Sequence, residues 1–107
     1  MSAMQLRLNE LTERFAGRLP DRITAMSRLL MHVDGETVEP APAAELERLL
    51  HSLAGTAGTF GFTSVASLAS QGEALCAGAG GGLEGENLRK VRSLIRQLAA
   101  VVSTRQR

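Results

Sequence analysis

The side chains best suited to nucleophilic or acid–base work in this sequence are two histidines and one cysteine. Of these, His51 stands in the most unusual surroundings. It sits inside a helical pattern, beside Leu50 and two residues before Leu53. At 3.6 residues per turn its side chain is rotated about 100° from Leu50 and about 160° from Leu53, so it faces outward from the apolar stripe or sits at its edge. Gly55 and Gly58 follow four and seven residues later and share its face. A glycine inside a helix costs about 1 kcal/mol relative to alanine. Two physical reasons would justify that cost. One is close packing against a neighbouring helix; the other is clearance, so that a partner can bring a reacting group to the imidazole. With an unperturbed pKa of about 6.5 the ring is mostly neutral at pH 7, and a neutral ring nitrogen can attack phosphorus.

The remaining candidates read more simply. His32 ends a helical stripe next to a linker, where the helix dipole favours its charged form. Cys76 falls on an apolar stripe and reads as a small buried hydrophobe. As the only cysteine it excludes an intrachain disulfide and a thiolate zinc site. No phosphate-binding glycine loop with a following Lys-Ser/Thr occurs, nor paired histidines at metal spacing, nor a catalytic triad. A kinase with its own ATP site does not follow from such a chain.

Composition points the same way. The chain has 107 residues, the size of one domain, so a single unit over 1–107 is the expectation. Net charge is +1, and Trp and Tyr are absent, which leaves neither a basic cluster nor stacking aromatics for nucleic acid. The segment Met1-Ser2-Ala3-Met4-Gln5-Leu6-Arg7 lacks the apolar core of a signal peptide. No apolar run approaches the ~20 residues that span a bilayer. The expectation is a soluble, cytoplasmic, free-standing monomer.

The elements that must carry His51 are helical. Met4, Leu8, Leu11, Phe15 and Leu19 recur at spacings of three and four. Pro20 interrupts, and Ile23, Met26, Leu29, Leu30 and Val33 continue a second stripe. Leu6 and Leu29 widen these faces enough for a bundle. Residues 34–42 carry turn chemistry and two prolines and read as a linker, with Pro42 opening the next helix. Leu46, Leu49, Leu50, Leu53, Ala57 and Phe60 form the third stripe, and Gly61 ends it. Thr63 or Ser64 can cap a fourth helix, striped by Val65, Leu68, Ala69, Gly72, Leu75 and Cys76. Residues 78–85, with four Gly among the first five, read as a flexible connection. A fifth helix carries Leu88, Val91, Leu94, Ile95, Leu98, Val101 and Val102, with Arg105 and Arg107 at its negative end. Phe60 and Phe62 are placed to plug one end of the assembly. No strand is evident. Short connections between helices imply antiparallel neighbours and an up-down bundle.

The stretch Leu50-His51-Ser52-Leu53-Ala54-Gly55-Thr56-Ala57-Gly58-Thr59-Phe60-Gly61-Phe62 resembles the signature of histidine phosphotransfer (HPt) domains. That signature reads His-x-Leu-Lys-Gly-Ser/Thr-Ala, then a hydrophobic residue and Gly. The similarity continues through Val65, Leu68 and Ala69 to Glu73, where the family pattern is acidic. The run from Arg14 to Ile23 also resembles the opening helices of such domains. One departure is plain: the family commonly has Lys three residues after the histidine, and this chain has Ala54. Arg48, one turn before His51, shares its face and can stand in part for that cation.

The resemblance implies an all-α fold, an antiparallel up-down four-helix bundle with an additional N-terminal helix. It implies that His51 takes a phosphoryl group from an aspartyl-phosphate of a receiver domain and relays it to another receiver aspartate. Attack would come from Nε2, with Nδ1 held by a hydrogen bond whose partner the sequence does not assign. Gln71 and Glu73 are residues that could lie near the His51 face across the bundle, which sequence does not establish. Receiver domains and a hybrid sensor kinase are the implied partners, docking over Ala54, Gly55, Gly58 and Phe62. No intrinsic cofactor is implied, and the Mg²⁺ needed for charge on the transferring group belongs to the receiver. Two other readings stay open: a bundle that binds a receiver or kinase without transferring phosphate, and a plain helical interaction module.

Overall fold

Phe15, Leu19, Ile23, Met26 and Leu30 lie buried along one face of a single helix, α1 (Ala3–Leu30), at spacings of four, four, three and four. The structure, a computed structural model, describes residues 1–31, 37–78 and 82–104. The two helical segments expected on either side of Pro20 are therefore one, and no additional N-terminal helix precedes the bundle. An interior proline costs about 3 kcal/mol. Five buried apolar side chains, each contributing roughly 1.5–3 kcal/mol, outweigh it because the stripe stays in phase across the break. Pro20 itself is exposed.

The N-terminal stripe behaves differently from expectation. Met4, Leu6 and Leu8 are exposed, and burial begins in earnest only at Phe15. The first turns are held by local bonds instead. Ser2 is the N-cap, its hydroxyl accepting from the Gln5 amide at 3.1 Å. At the other end Arg92 donates through Nη2 to the Leu30 carbonyl at 3.1 Å, tying the last turn of α1 to α4. Leu29 is half-buried against the core.

Three further helices complete the fold: α2 (Pro40–Thr59), α3 (Thr63–Ala77) and α4 (Gly85–Ser103). Helix α2 starts two residues before Pro42, with Pro40 at its first position, where a missing N–H leaves no bond unmade. It packs against α1 and α3; α3 packs against α4; and α4 closes the ring onto α1. The core is built from Leu46, Leu50 and Leu53 of α2, Val65 and Ala69 of α3, and Leu88, Val91, Ile95 and Leu98 of α4, against the α1 stripe.

Two connections expected to be free of strands pair with each other. β1 (Thr37–Val38) and β2 (Leu83–Glu84) run antiparallel, Thr37 opposite Glu84 and Val38 opposite Leu83. Val38 and Leu83 point into the core and are nearly inaccessible. Gly82 permits this clip: at φ +137°, a Cβ there would lie 2.5 Å from the Val38 carbonyl oxygen. Residues 32–36, 79–81 and 105–107, which include His32, Val33, Arg105 and Arg107, lie outside the described residues.

Gly61 ends α2 as its position suggests. At φ +80° it is the left-handed residue of a Schellman turn. The Gly61 amide donates to Gly58 O at 3.3 Å and the Phe62 amide to Ala57 O at 2.8 Å. Helix α3 follows at once, so Phe62, rather than Thr63 or Ser64, occupies its N-cap position. The Phe62 ring turns inward, edge-on to Phe15 at 5.3 Å, while Phe60 stacks on Phe15 at the same distance. These rings close the α2–α3 end of the bundle.

Since Pro20 interrupts a helix held by its buried stripe, Pro20→Ala should restore a backbone bond without moving the core. We expect a gain of roughly 1–3 kcal/mol in urea unfolding with unchanged helicity. A loss of stability would show that Pro20 shapes α1 rather than merely being tolerated in it.

Candidate functional site

The turn at Gly61 makes α2 and α3 an antiparallel hairpin, and positions equally far from Phe62 fall at the same level. His51 and Glu73 are both eleven residues away. One step inward, Leu50 and Gly72 meet. A Cβ on Gly72 would lie 3.0 Å from Leu50 Cδ1, so the missing methyl group lets the two helices approach. An added methyl group would need Leu50 to give way by a few tenths of an ångström.

That approach brings the Glu73 carboxylate across the groove to the imidazole. Nδ1 of His51 and Oε2 of Glu73 are 2.6 Å apart. A carboxylate can only accept in such a pair, so Nδ1 is the donor and Nε2 lies on the other side of the ring. The His51 side chain is 76% exposed, whereas Glu73 is 30% exposed. The imidazole is thus largely open to solvent, while the carboxylate it meets is mostly covered.

Gly55 and Gly58 decide between the two readings of a glycine in a helix. Neither would bring a Cβ within 4 Å of another residue. Both are exposed, and internal packing does not account for them. They leave open surface beside His51. The hydroxyls nearby are engaged within the helix: Thr56 donates to Ser52 O at 2.9 Å and Thr59 to Gly55 O at 3.0 Å.

Other expected site residues are placed differently. Arg48 makes a two-pronged contact with Glu45, Nε to Oε2 at 3.0 Å and Nη2 to Oε1 at 2.5 Å. That hydrogen bond holds the Glu45 carboxyl below its ordinary pKa and raises that of Arg48. Arg48 also lines the groove between α1 and α2, with Arg18, Arg22 and Ser52. Ala54 is half-buried, packed against the core. Phe62 is only 5% exposed and belongs to the aromatic plug, so the expectation that it forms part of a docking patch is corrected. Gln71 bonds to Ser67 at 3.3 Å and lines the groove between α3 and α4, so Glu73 alone of the two faces His51. Cys76 is buried. Burial, helped by the charges of Glu47 and Glu73, pushes its thiol up to about 11.

An exposed imidazole thus lies against a carboxylate and beside bare glycine surface. The family model of the Hpt domain matches residues 10–101. The chain belongs to the Hpt domain family. No curated protein and no solved structure matches it. Hpt domains serve histidine phosphotransfer in two-component signalling, as phosphocarriers without an ATP site of their own, and they interact with receiver domains and kinases. Among the described residues no helix is long and apolar enough to cross a membrane.

Gly55 and Gly58 on one side and Gly72 on the other should respond oppositely to added side chains. Gly55→Ala and Gly58→Ala should each stabilise the Hpt domain by up to about 1 kcal/mol, since space is open and helix propensity improves. Gly72→Val should destabilise it by roughly 1–3 kcal/mol through overpacking against Leu50. Urea midpoints measure all three, and a Gly72→Val variant as stable as the parent would refute the close-approach reading.

Proposed function

We propose that His51 relays a phosphoryl group between receiver aspartates. The observation that carries this reading is the exposed imidazole of His51, whose Nδ1 lies 2.6 Å from Glu73 Oε2. In the forward step the Nε2 lone pair attacks phosphorus in line. The bond between phosphorus and the aspartyl oxygen breaks, and the receiver carboxylate leaves with its electron pair. His51 keeps the Nδ1 proton, so the phosphorylated ring carries positive charge, and the Glu73 carboxylate lies against that charge as it develops. The reverse attack by a second receiver carboxylate returns the ring to its neutral, Nδ1-protonated form. No proton needs to cross the interface in either direction.

Negative charge on the transferring oxygens needs cations. Ala54 supplies none. Arg48 can leave Glu45 at small cost, because exposed ion pairs contribute only about 0–1 kcal/mol, and it sits one turn from His51. The Mg²⁺ of this reading belongs to the receiver. Docking is over Gly55 and Gly58, where nothing projects, with Ala54 at its edge. A hybrid sensor kinase upstream and receivers on both sides are the partners of this reading.

The absence of the family's usual lysine also supports a second reading, a bundle that binds a receiver without accepting phosphate. Incubation with a phosphorylated receiver separates the two. Wild type should gain an acid-labile, base-stable phosphate, and His51→Gln should not, with helicity intact in both. Label that persists in His51→Gln would sink the site; a wild type that binds the receiver but stays unlabelled would favour the scaffold.

Glu73→Ala should slow transfer by about 10–100-fold by releasing the ring tautomer. Nitrogen NMR should show Nδ1 losing its share of the proton in the same variant. Gly55→Gln should slow transfer more than it alters stability. Transfer at the parent rate in both variants would remove the orienting and clearance roles.

A further inference from the structure

The surface on the two sides of His51 carries opposite charge. Toward α3 stand carboxylates: Glu73 against the ring, and Glu47 one turn before it, close enough to Cys76 of α3 to act on its thiol. Toward α1 lies an open groove of about 600 Å³, whose rim carries Arg18, Arg22 and Arg48 together with Ser52, the neighbour of His51. Phe15 stacks on Phe60. Arg22, seven residues on from Phe15, therefore comes level with Leu53, seven residues back from Phe60 and two places from His51.

The arginines of α1 stand where the fold has no use for them. Arg14, Arg18 and Arg22 recur every four residues, and like charges at that spacing repel along a helix. Among the described residues Arg14 and Arg18 make no ion pair. The Arg22 guanidinium lies over the Phe15 ring at 5.6 Å, which holds it in place and leaves its charge unneutralised. Asp21 is the single acid lining the groove, and it pairs with neither Arg18 nor Arg22.

We propose that this groove is the selecting half of the docking face: Arg18 and Arg22, with Arg48, receive an acidic edge of the receiver while Gly55 and Gly58 leave room for the reacting group. This rests on the reading of His51 as a relay. A receiver that holds Mg²⁺ beside its aspartate does so with oxygen ligands, carboxylates above all, so the edge of its site is acidic. Laid over His51, that edge meets like charge on the Glu47–Glu73 side and opposite charge on the arginine side. The field turns the receiver one way round, with its most acidic edge over α1. The arginines meet the partner's surface and leave the transferring oxygens to the receiver's own cation, so they act on encounter and register and not on the chemical step.

Transfer from a phosphorylated receiver to the full chain tests this, read as the receiver concentration at half-maximal rate and the rate at saturation, at low and high salt. Arg18→Glu with Arg22→Glu should raise the half-saturating concentration about tenfold or more, flatten its salt dependence and keep the saturated rate within about twofold. Arg18→Glu alone, at an exposed position, should shift it the same way by less, and it decides if the double variant loses helicity. Arg89→Glu with Arg96→Glu makes the same charge change at exposed positions of α4, which packs on α3 and α1, and should alter neither value. Parent half-saturation in the groove variants overturns the proposal, as does an equal rise in the α4 variant. A loss confined to the saturated rate also overturns it and places the arginines in the chemistry. A wild type that accepts no label sinks the relay and not the groove. Binding of the unphosphorylated receiver to the same proteins then decides: the Arg18→Glu, Arg22→Glu variant should bind about tenfold more weakly, and binding equal to wild type overturns the proposal. A wild type that binds no receiver overturns both.

Discussion

The contact between Leu50 and Gly72 is the constraint on which the rest of the site depends. Two helices of ordinary composition stand 8–10 Å apart because their side chains hold them there. Removing the Cβ at residue 72 lets Leu50 Cδ1 come within 3.0 Å of where that atom would be. The inner side of the hairpin is buried on both helices, at Leu46, Leu50 and Leu53 of α2 and at Ala69, Gly72 and Cys76 of α3. The next residue out on each helix is then His51 or Glu73, and the groove between them closes to hydrogen-bond length. The Schellman turn at Gly61 sets this register. A slip of one residue in the turn would move Glu73 by about 100° around α3.

Charge around the histidine follows a different logic from packing. Glu73 touches the ring, and Glu47, one turn before His51 on α2, acts with Glu73 to raise the pKa of Cys76. The nearest cation, Arg48, is already neutralised by Glu45. In the transfer proposed above, such a surface does not hold a phosphoryl group tightly by itself. A carrier must release what it accepts. A ring of resident cations would deepen the phosphorylated state, whereas charge stabilisation supplied by the docked receiver is present only while transfer takes place. Ala54 in place of lysine fits a carrier that borrows its electrostatics.

How much of this could be read beforehand divides along the range of the interactions. Local signals were legible. Gly61 was recognisable as a helix end because the left-handed region favours glycine, and the stripes of α2, α3 and α4 appear where their spacing puts them. The outward placement of His51 was legible from its position off the stripe, and the open surface beside it from two costly glycines on its face. Non-local balances were not legible. Pro20 suggests a break to any local rule, yet the stripe on both sides packs against one bundle and the helix runs through. Met4 and Leu8 continue that stripe in sequence, but the bundle is shorter than the stripe. Strands of two residues carry no periodicity, and the pairing of Val38 with Leu83 depends on the connections meeting. Phe62 looked like docking surface because it follows the motif, and its burial is set by Phe15 from another helix. Gln71 and Glu73 were indistinguishable until the hairpin's register separated them.

The site gives the fold little stability in return for what it takes. Gly55 and Gly58 together weaken α2 by about 2 kcal/mol relative to alanine, a sizeable share of the 5–15 kcal/mol that holds a domain folded. The bond from His51 to Glu73 joins a mostly exposed ring to a carboxylate, and exposed pairs of this kind contribute about 0–1 kcal/mol. Residues 50 to 59 would not be helical on their own account. They are held from the other side, by Leu50, Leu53 and Ala57, which are almost completely buried. One face of α2 thus carries the energy and the opposite face is left free to be unfavourable. That division explains how two bare glycines and an exposed imidazole can persist in the middle of a helix. It also explains why the hydrogen bond at the ring matters for which nitrogen is available rather than for whether the bundle folds.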